Sequence, residues 1–353
     1  MKKWKVGLIG NGGICKGAHL GEYLSDERLE VAAVCDIIEE RAQFLKDNYF
    51  PDAKVYTDYK ELLKDESIDS VDICTPNYLH SIIAVAAFEA GKHVFCEKPD
   101  AINVEEVLKM KDAADKAGKT LMIMRNNRHV DISKFAKKYI DDGKMGEIYC
   151  GRCGWQRRRG IPGKGGWFTT KEQSGGGPLI DLGVHLIDLS IYLMGSPTPV
   201  SVSGNVFSKF SDSDLSDSVN SDFGDKKADG IFNVEDLAMG MIRFDNGAIL
   251  QIEFSWASNV KAEHRFVELR GTKAGLNWSD GKVEIYTEEG GELVDIIPSK
   301  LEEKNGHEKN LKHFYDVVID GAEPDFVPQQ GIDMIKILCA MYESAKQGRE
   351  ITL

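Results

Sequence analysis

Three short segments of the sequence carry residue types that together could transfer a hydride. A glycine-rich turn, Gly10-Asn11-Gly12-Gly13, follows a short apolar run near the start of the chain. The tripeptide Glu97-Lys98-Pro99 ends another apolar run, and Asp181 and His185 lie four residues apart after three consecutive glycines. A turn suited to a dinucleotide, an isolated lysine at a strand end and an acid–base pair on one helix predict a site that acts on a hydroxyl group.

The glycine-rich turn has the spacing of a dinucleotide-binding motif. Gly10 and Gly12 allow a tight turn and let the backbone approach a pyrophosphate, which rests on the N-terminus of the following helix. Cys15 takes the third glycine position, where a small residue lets the helix pack against the strand. Asp36 ends the second predicted strand, where it would accept hydrogen bonds from ribose hydroxyls and repel a 2′-phosphate. The sequence therefore predicts NAD as cofactor, with NADP less favoured but kept open by Arg41. The predicted cofactor contacts of this segment are Gly10, Gly12, Gly13, Ile14 and Asp36.

The lysine and the histidine are the predicted reactive groups. Lys98 could hydrogen-bond the reacting hydroxyl and stabilise a developing alkoxide, although an ordinary surface lysine is the alternative. Asp181 and His185 share one helix face, and a histidine beside a carboxylate suits a general base working near neutral pH. A simple ion pair on the helix surface is the alternative. We predict no metal, because the sequence lacks the matched cysteine and histidine ligands of a zinc site such as that of medium-chain dehydrogenases.

Short apolar strands alternate with helical patterns through the first 125 residues. The predicted strands are 5–9, 29–35, 68–74, 92–96 and 120–124, and the predicted helices are 13–24, 39–48, 79–90 and 104–117. This alternation indicates a parallel sheet covered by helices on both faces. Ligands bind at the carboxyl ends of such strands. The cofactor contacts predicted there are Thr75, Pro76, Asn77, His80, Glu97 and Lys98.

After about Tyr149 the pattern changes to that of a mostly antiparallel sheet. Strands are predicted at 236–244, 248–256 and 265–270, and helices at 178–194, 310–320 and 329–346. Asn246-Gly247 between two apolar runs is a strong hairpin signal. Residues 205–233, rich in serine, aspartate and glycine, are predicted to be an inserted loop, and a calcium site there is disfavoured because the EF-hand glycine and final glutamate are missing. We predict two domains, with 1–125 binding the dinucleotide and 126–353 binding substrate and forming oligomer contacts.

The composition limits the classes of partner. A chain of 353 residues with net charge −13 does not favour nucleic acid or an anionic membrane, because either partner attracts a basic face. The basic and then apolar N-terminus is too short for a secretion signal and is predicted to be the first strand, which makes the cytoplasm the expected location. Cys150 and Cys153 have redox or metal-ligand spacing, but a strand would point them to opposite faces, which favours ordinary thiols.

These residues together resemble the Gfo/Idh/MocA oxidoreductase family over essentially the whole chain. The segments that carry the resemblance are Gly10-Asn11-Gly12-Gly13, Cys74-Thr75-Pro76-Asn77, Glu97-Lys98-Pro99, Gly175-Gly176-Gly177 with Asp181 and His185, Glu235-Asp236, and Phe244-Asp245-Asn246-Gly247. The resemblance implies an N-terminal Rossmann domain, a C-terminal α+β domain with a large open sheet, and homodimers or homotetramers. It also implies catalytic or substrate-orienting roles for Lys98, Asp181 and His185. The expected activity is NAD-dependent oxidation of a secondary hydroxyl of a sugar, sugar derivative or cyclitol. An NAD-dependent glycosidase that oxidises its substrate transiently and a cofactor-sensing regulator stay open.

A cationic and aromatic segment gives the one local indication of substrate choice. Trp155-Gln156-Arg157-Arg158-Arg159, followed by Lys164 and Trp167, is unusual in a chain of net charge −13. Tryptophan can stack on a sugar ring, and arginine can bind hydroxyl, carboxylate or phosphate groups. We therefore expect at least one of these arginines to reach the substrate, whereas a solvated loop or a subunit contact is the alternative. The predicted substrate contacts are Lys98, Trp155, Arg157, Arg158, Trp167, Asp181 and His185.

Overall fold

The structure, a computed structural model, describes residues 3–353 and divides the chain into two compact units. The first unit ends at Met124 and also contains His307–Ile332, whereas the second comprises Arg125–Gly306 and Asp333–Leu353. The sequence analysis placed the division near residue 125 but did not predict that the segment His307–Ile332 returns to the first unit. Residues 1 and 2 of the predicted first domain lie outside the described residues.

The returning segment belongs to the first unit because its aromatic side chains complete that unit's core. Phe314 and Tyr315 are fully buried. The Phe314 ring lies 5.4 Å from that of Phe95, and the Tyr315 ring lies 6.2 Å from that of Tyr23. Burying two such rings removes several hundred square ångströms of surface from water, at roughly 150–250 Å² per ring.

The first unit is built on a sheet of six parallel strands in the order β3-β2-β1-β4-β5-β6. The strands are β1 (Trp4–Ile9), β2 (Leu29–Cys35), β3 (Lys54–Tyr56), β4 (Ser70–Ile73), β5 (His93–Cys96) and β6 (Leu121–Ile123). The predicted parallel sheet is confirmed. The order reverses between β1 and β4, and ligands of such sheets bind at the strand ends beside this reversal.

Helices connect these strands. They are α1 (Leu20–Ser25), α2 (Glu39–Asn48), α3 (Tyr59–Leu63), α4 (His80–Glu89) and α5 (Val104–Ala117). A wider helical turn, Cys15–His19, precedes α1. Gly118 ends α5 in the left-handed conformation with φ of 60°, which explains the glycine at this position. The sequence analysis missed β3 and α3, which are only three and five residues long.

The second unit is built on a nine-stranded, mostly antiparallel sheet in the order β14-β13-β12-β11-β7-β10-β9-β8-β15. The strands are β7 (Ile148–Gln156), β8 (Pro199–Phe207), β9 (Leu237–Phe244), β10 (Ile249–Ser255), β11 (His264–Gly271), β12 (Ala274–Ser279), β13 (Lys282–Glu289), β14 (Glu292–Ile296) and β15 (Ile351–Thr352). Only β7 and β10 pair in parallel among these described strands. The Asn246-Gly247 turn joins β9 to β10 as predicted, with Gly247 at φ of 85°.

The remaining helices are α6 (Asp131–Asp141), α7 (Lys171–Ser174), α8 (Val184–Leu193), α9 (Gly306–Asp320) and α10 (Pro328–Gln347). The predicted helix 178–194 is α8 preceded by a wider helical turn, Leu179–Gly183. Residues Lys171–Leu193 form one stretch that is long and apolar enough to cross a membrane, but 78% of its most apolar window is buried inside the protein. A core helix of a soluble protein has the same composition, so this stretch is weak evidence for membrane insertion.

The loop that the sequence predicted at 205–233 begins three residues later in the structure, at residue 208. Residues 205–207 belong to β8 and pair with β9, because Asn205 and Val206 continue the ladder opposite Met239 and Ala238. Residues 208–233 lack strands and contain one short helical turn, Val219–Asp222.

Cys150 and Cys153 lie on β7, as the sequence predicted, and neither forms a disulfide bond. Cys153 is buried, and burial raises its thiol pKa to about 12. An un-ionised buried thiol is a poor nucleophile and a poor metal ligand.

Candidate active site

The glycine turn of the first unit lies against the end of β2. Gly10 has φ of 91°, and a side chain there would approach the Cys74 carbonyl to 2.7 Å, so only glycine fits. The Asp36 carboxylate accepts a hydrogen bond from the Asn11 N–H at 2.7 Å and another from the Ile38 N–H at 2.9 Å. These bonds fix the carboxylate beside the turn, where its remaining lone pairs could accept hydrogen bonds from a ribose.

The turn also fits a dinucleotide by the space and the polar atoms that it offers. A side chain built at Gly12 would meet nothing within 4 Å, which leaves room for a pyrophosphate against the backbone. Two buried oxygens beside the strand ends, Asn11 Oδ1 and Thr75 Oγ1, have no hydrogen-bond partner among the described residues. Buried polar atoms are normally paired, so these two are suited to a bound ligand.

His80 joins two of the strand ends. Its Nδ1 lies 2.8 Å from the Pro99 carbonyl oxygen and its Nε2 lies 2.9 Å from the Thr75 carbonyl oxygen. Burial lowers the pKa of His80, and the two carbonyls oppose this effect. Both ring nitrogens face the main chain, so the side chain supports the Glu97-Lys98-Pro99 turn. The direct contact of His80 with the cofactor stays a prediction.

Glu97 and His19 form a buried ionic cluster next to Lys98. Nε2 of His19 lies 2.9 Å from Glu97 Oε1, and Nδ1 lies 2.7 Å from Asp72 Oδ2. The other Glu97 oxygen accepts the N–H of Lys98 at 3.0 Å. The side chains of His19 and Asp72 are fully buried, and that of Glu97 is 5% exposed. Both oxygens of the Glu97 carboxylate, which the sequence predicted to contact the cofactor, are therefore hydrogen-bonded to groups of the protein.

Charge pairing controls ionisation within this cluster. Burial alone would lower the pKa of His19, but Asp72 and Glu97 outweigh it and hold that pKa well above its usual value. Burial likewise raises the pKa of Glu97, but the His19 hydrogen bond and charge outweigh it and hold that pKa far below its usual range. The two directions agree on an imidazolium between two carboxylates.

His19, Asp72 and Cys74 offer ligand atoms within 4.8 Å of one another, which is a spacing that a metal could use. Both histidine nitrogens are, however, engaged by carboxylates. Burial raises the pKa of Cys74 well above its usual value, and its thiol lies within hydrogen-bonding distance of His19 and Asp72. We assign the group to hydrogen bonding.

Asp181 lies on the wide helical turn of the second unit, half-buried and fixed by tryptophan. Its Oδ2 accepts the indole N–H of Trp256, a fully buried side chain, at 3.0 Å. The start of this turn is capped by Glu235, whose carboxylate accepts the N–H groups of Gly177 and Leu179 at 2.9 and 3.1 Å. The cap explains the acidic residue that the sequence analysis noted only through the family resemblance.

His185 follows Asp181 by one turn, and its partner determines which nitrogen can act as a base. Nδ1 lies 3.1 Å from Oδ1 of Asn126, an oxygen that only accepts hydrogen bonds. In the neutral ring the proton therefore sits on Nδ1, and the lone pair sits on Nε2. Asn126 is held in place because its neighbours Arg125 and Arg128 both donate to Asp188 of α8, at 2.9 and 2.8 Å.

Arg157 is the arginine of the cationic segment that turns toward this site. It is 4% exposed, and its guanidinium lies 4.9 Å from the centre of the Trp155 ring, which itself lies 6.1 Å from the His185 ring. Burial lowers the pKa of Arg157, while the charges of Asp181 and Glu263 act in the opposite direction. Glu263, which the sequence analysis missed, accepts the Trp155 N–H at 2.6 Å and lies 3.5 Å from Arg157 Nε.

The other predicted members of the segment face the loop at residues 208–233 or its surroundings. Arg158 has a side chain 57% exposed and pairs with Asp217 at 3.6 Å, and Lys164 pairs with Asp214 at 2.6 Å. Trp167 stacks on Phe168 with 3.8 Å between ring centres. The acidic residues that neutralise these cations thus come from the same chain. Of the predicted substrate contacts, Asp181, His185, Trp155 and Arg157 lie together, whereas Arg158 pairs with Asp217 and Trp167 stacks on Phe168.

Comparison with known proteins identifies the family. Residues 4–124 match the model of the Gfo/Idh/MocA oxidoreductase family with its NAD-binding Rossmann fold, and residues 134–277 match a Gfo/Idh/MocA C-terminal domain. The D-glucoside 3-dehydrogenase of Escherichia coli (strain K12) is 34% identical over 364 aligned residues, which cover 99% of this chain and 97% of that protein. The levoglucosan dehydrogenase of Pseudarthrobacter phenanthrenivorans is 34% identical over 62% of this chain and 57% of its own.

Among solved structures, GenD2 from gentamicin A biosynthesis, crystallised in complex with NAD, superposes with a TM-score of 0.81 at 26% identity. That alignment covers 100% of this chain and 97% of GenD2. The chain therefore belongs to the Gfo/Idh/MocA family, and the predicted family and fold class are confirmed. It is an NAD(P)-dependent oxidoreductase that acts on CH–OH groups, with an NAD-binding Rossmann domain. The predicted homodimer or homotetramer and the cytoplasmic location stay predictions.

Proposed function

We propose that this enzyme oxidises a secondary ring hydroxyl of a neutral glucoside with NAD. The observation that carries the proposal is the grouping of Asp181, His185, Trp155 and Arg157 on the second unit. The similarity to a protein named D-glucoside 3-dehydrogenase supports the choice of glucosides and of the hydroxyl at position 3.

His185 is the proposed base. Its Nε2 lone pair would take the proton of the reacting hydroxyl, while the bond to Asn126 stabilises the imidazolium that forms. Asp181 would accept a hydrogen bond from a neighbouring hydroxyl, with Trp256 holding the carboxylate in place. When bound, NAD supplies the acceptor for the hydride. Lys98 of the first unit would stabilise the developing alkoxide by its charge.

The matched charges of the second unit support a neutral substrate. Arg157, Arg158 and Lys164 each have a carboxylate within 3.6 Å, provided by Glu263, Asp217 and Asp214. A phosphate or carboxylate on the substrate would have to compete with these partners. Arg157, which is the buried one of the three, would instead donate to sugar hydroxyls.

A substrate panel with NAD tests the proposal. The panel contains methyl glucosides and levoglucosan as neutral sugars, scyllo- and myo-inositol as cyclitols, and glucose 6-phosphate and glucuronate as charged counterparts. NADH formation is followed by absorbance, and the oxidised carbon is located by NMR of the product. We expect turnover of the neutral glucosides and a 3-keto product. A preference for the phosphorylated or carboxylated sugar would contradict the assignment of a neutral substrate.

A further inference from the structure

A buried cluster of ionisable side chains surrounds His19 in the first unit. His19 comes from the helical turn after the glycine motif, Asp72 from β4, and Glu97 from the end of β5. Three separate elements thus bring one potential cation and two carboxylates to a place where the histidine is 0% exposed. Isolated buried charges are costly, so a cluster of this kind is retained only when its members pair closely.

The hydrogen-bond pattern fixes the charge state of His19. Both ring nitrogens face carboxylate oxygens, at 2.7 and 2.9 Å, and ionised carboxylates only accept hydrogen bonds. Only the doubly protonated imidazolium can donate to both. The hydroxyl of Tyr23 also donates to Asp72, at 2.8 Å, which leaves the histidine as the balancing cation.

The other groups that face His19 are uncharged. His307 of α9 has its ring centre 6.3 Å away, and burial lowers its pKa to about 4. Cys74 Sγ lies 3.4 Å from Nδ1 with a thiol pKa that burial raises. The ring of Phe95 contacts His19 edge-on at 6.0 Å. The His19 imidazolium is therefore the cation that pairs with both carboxylates, Asp72 and Glu97. The charge of Lys98 also lowers the pKa of Glu97.

The cluster continues to the reactive lysine through one carboxylate. Glu97 accepts from His19 with Oε1 and from the Lys98 N–H with Oε2. We propose that His19, held as an imidazolium between Asp72 and Glu97, is a positioning residue that fixes the backbone of Lys98 through the Glu97 carboxylate. This inference rests on the role proposed above for Lys98.

The proposal separates His19 from the cofactor site that immediately precedes it in the sequence. The glycine turn would contact the dinucleotide, whereas His19 would act on the lysine through Glu97. A loss of His19 should therefore slow the chemical step and leave affinity for the cofactor nearly unchanged. A small displacement of a reacting group can cost about a hundredfold in rate.

The test compares Glu97→Ala and His19→Gln with the control His93→Gln, which removes a half-buried histidine from β5. Glu97→Ala removes both oxygens that form the link and leaves the His19–Asp72 pair, so it remains informative if His19→Gln does not fold. Hydrogen exchange of the peptide that contains Lys98, measured by mass spectrometry, reports on the link without any substrate. The charge of His19 is read from the ring-nitrogen signals of histidine-labelled protein at alkaline pH.

We expect both ring nitrogens of His19 to carry protons, and the Lys98 amide to exchange faster in both variants but not in the control. With the most active sugar of the panel, kcat should fall about tenfold to a hundredfold, while KM and the NADH dissociation constant stay within about threefold of wild type. Wild-type exchange at Lys98 in Glu97→Ala, or a neutral His19 ring, would overturn the proposal. If no sugar of the panel reacts, the proposed function fails, and the exchange and NMR measurements still decide the link.

Discussion

The two units surround their reactive groups in opposite ways. In the first unit the residue next to Lys98 is tied into a buried network of charges, in which Glu97 bonds to His19 and His19 to Asp72. In the second unit Asp181 and His185 are half-buried, and each is hydrogen-bonded to a neutral group, Trp256 for Asp181 and Asn126 for His185, while the charge of Asp181 also acts on Arg157. A charged network holds a position firmly, whereas neutral partners orient a group and leave its charge free to change during the reaction.

The largest expected effect comes from removing the reactive group of either unit. Lys98→Met and His185→Ala should each lower kcat by about a hundredfold or more and leave NAD binding nearly intact, because both groups act mainly in the transition state. The loss in His185→Ala should be greatest near neutral pH, where a histidine base is most effective. Lys60→Met, at an exposed lysine, and His264→Ala, at a half-buried histidine of β11, serve as controls in steady-state assays. Wild-type turnover in either active-site variant would remove that residue from the mechanism.

A substitution at the predicted cofactor site of the first unit should change the affinity for NAD and leave kcat nearly unchanged. Asp36→Ser removes the carboxylate that is expected to bind the ribose, which should raise the NAD dissociation constant about ten- to a hundredfold and narrow the discrimination against NADP. Titration calorimetry with both cofactors measures the effect, and exposed Asp52→Ser is the control. Tighter binding of NADP than of NAD by the wild-type protein would contradict this role for Asp36.

Neighbouring arginines of the second unit provide a smaller and well-matched comparison. Arg157→Lys should raise the sugar KM about tenfold with little change in NAD affinity, because the buried guanidinium is expected to hydrogen-bond the substrate. Arg158→Lys, on the exposed neighbour that pairs with Asp217, should leave both constants unchanged. Equal changes of the sugar KM in the two variants would mean that Arg157 does not bind the substrate directly.

The smallest effect concerns stability. Because the folded protein holds the His19 pKa above its usual value of about 6.5, the stabilisation from this cation is complete below that pH and is lost as the pH rises through the raised pKa. The difference in Tm between wild type and His19→Gln should therefore narrow in alkaline buffer. A difference that stays constant from pH 6 to the alkaline range would indicate that His19 contributes through packing alone.

The difference between the units also explains what the sequence could predict. In the first unit, apolar strands, helix periodicity and glycine stops are local signals, so α2 and α5 were predicted with the bounds that the structure has. In the second unit, β12 to β14 were missed. Only three residues of β12 and two of β13 are buried, and β14, at the edge of the sheet, has no buried residue, so each strand gives a short or weak apolar pattern.

The active-site partners were harder to predict than the reactive residues. Lys98, Asp181 and His185 stand out through motif and spacing. By contrast, His19 lies 53 residues from Asp72 and 78 from Glu97, and Asn126 lies 59 residues from His185. Such pairs form only when the strands and helices assemble, and no local pattern reveals them. The one available signal was a histidine between the apolar residues Ala18 and Leu20 in the helical segment directly after the glycine turn.

The most direct test of the account is the number of NADH molecules formed for each glucoside consumed, with the product examined by NMR. The account predicts one NADH for each methyl glucoside and a keto-glucoside whose glycosidic bond is intact. Consumption of the glucoside with release of the aglycone and no net NADH would contradict it, because that result identifies a glycosidase that oxidises its substrate only transiently.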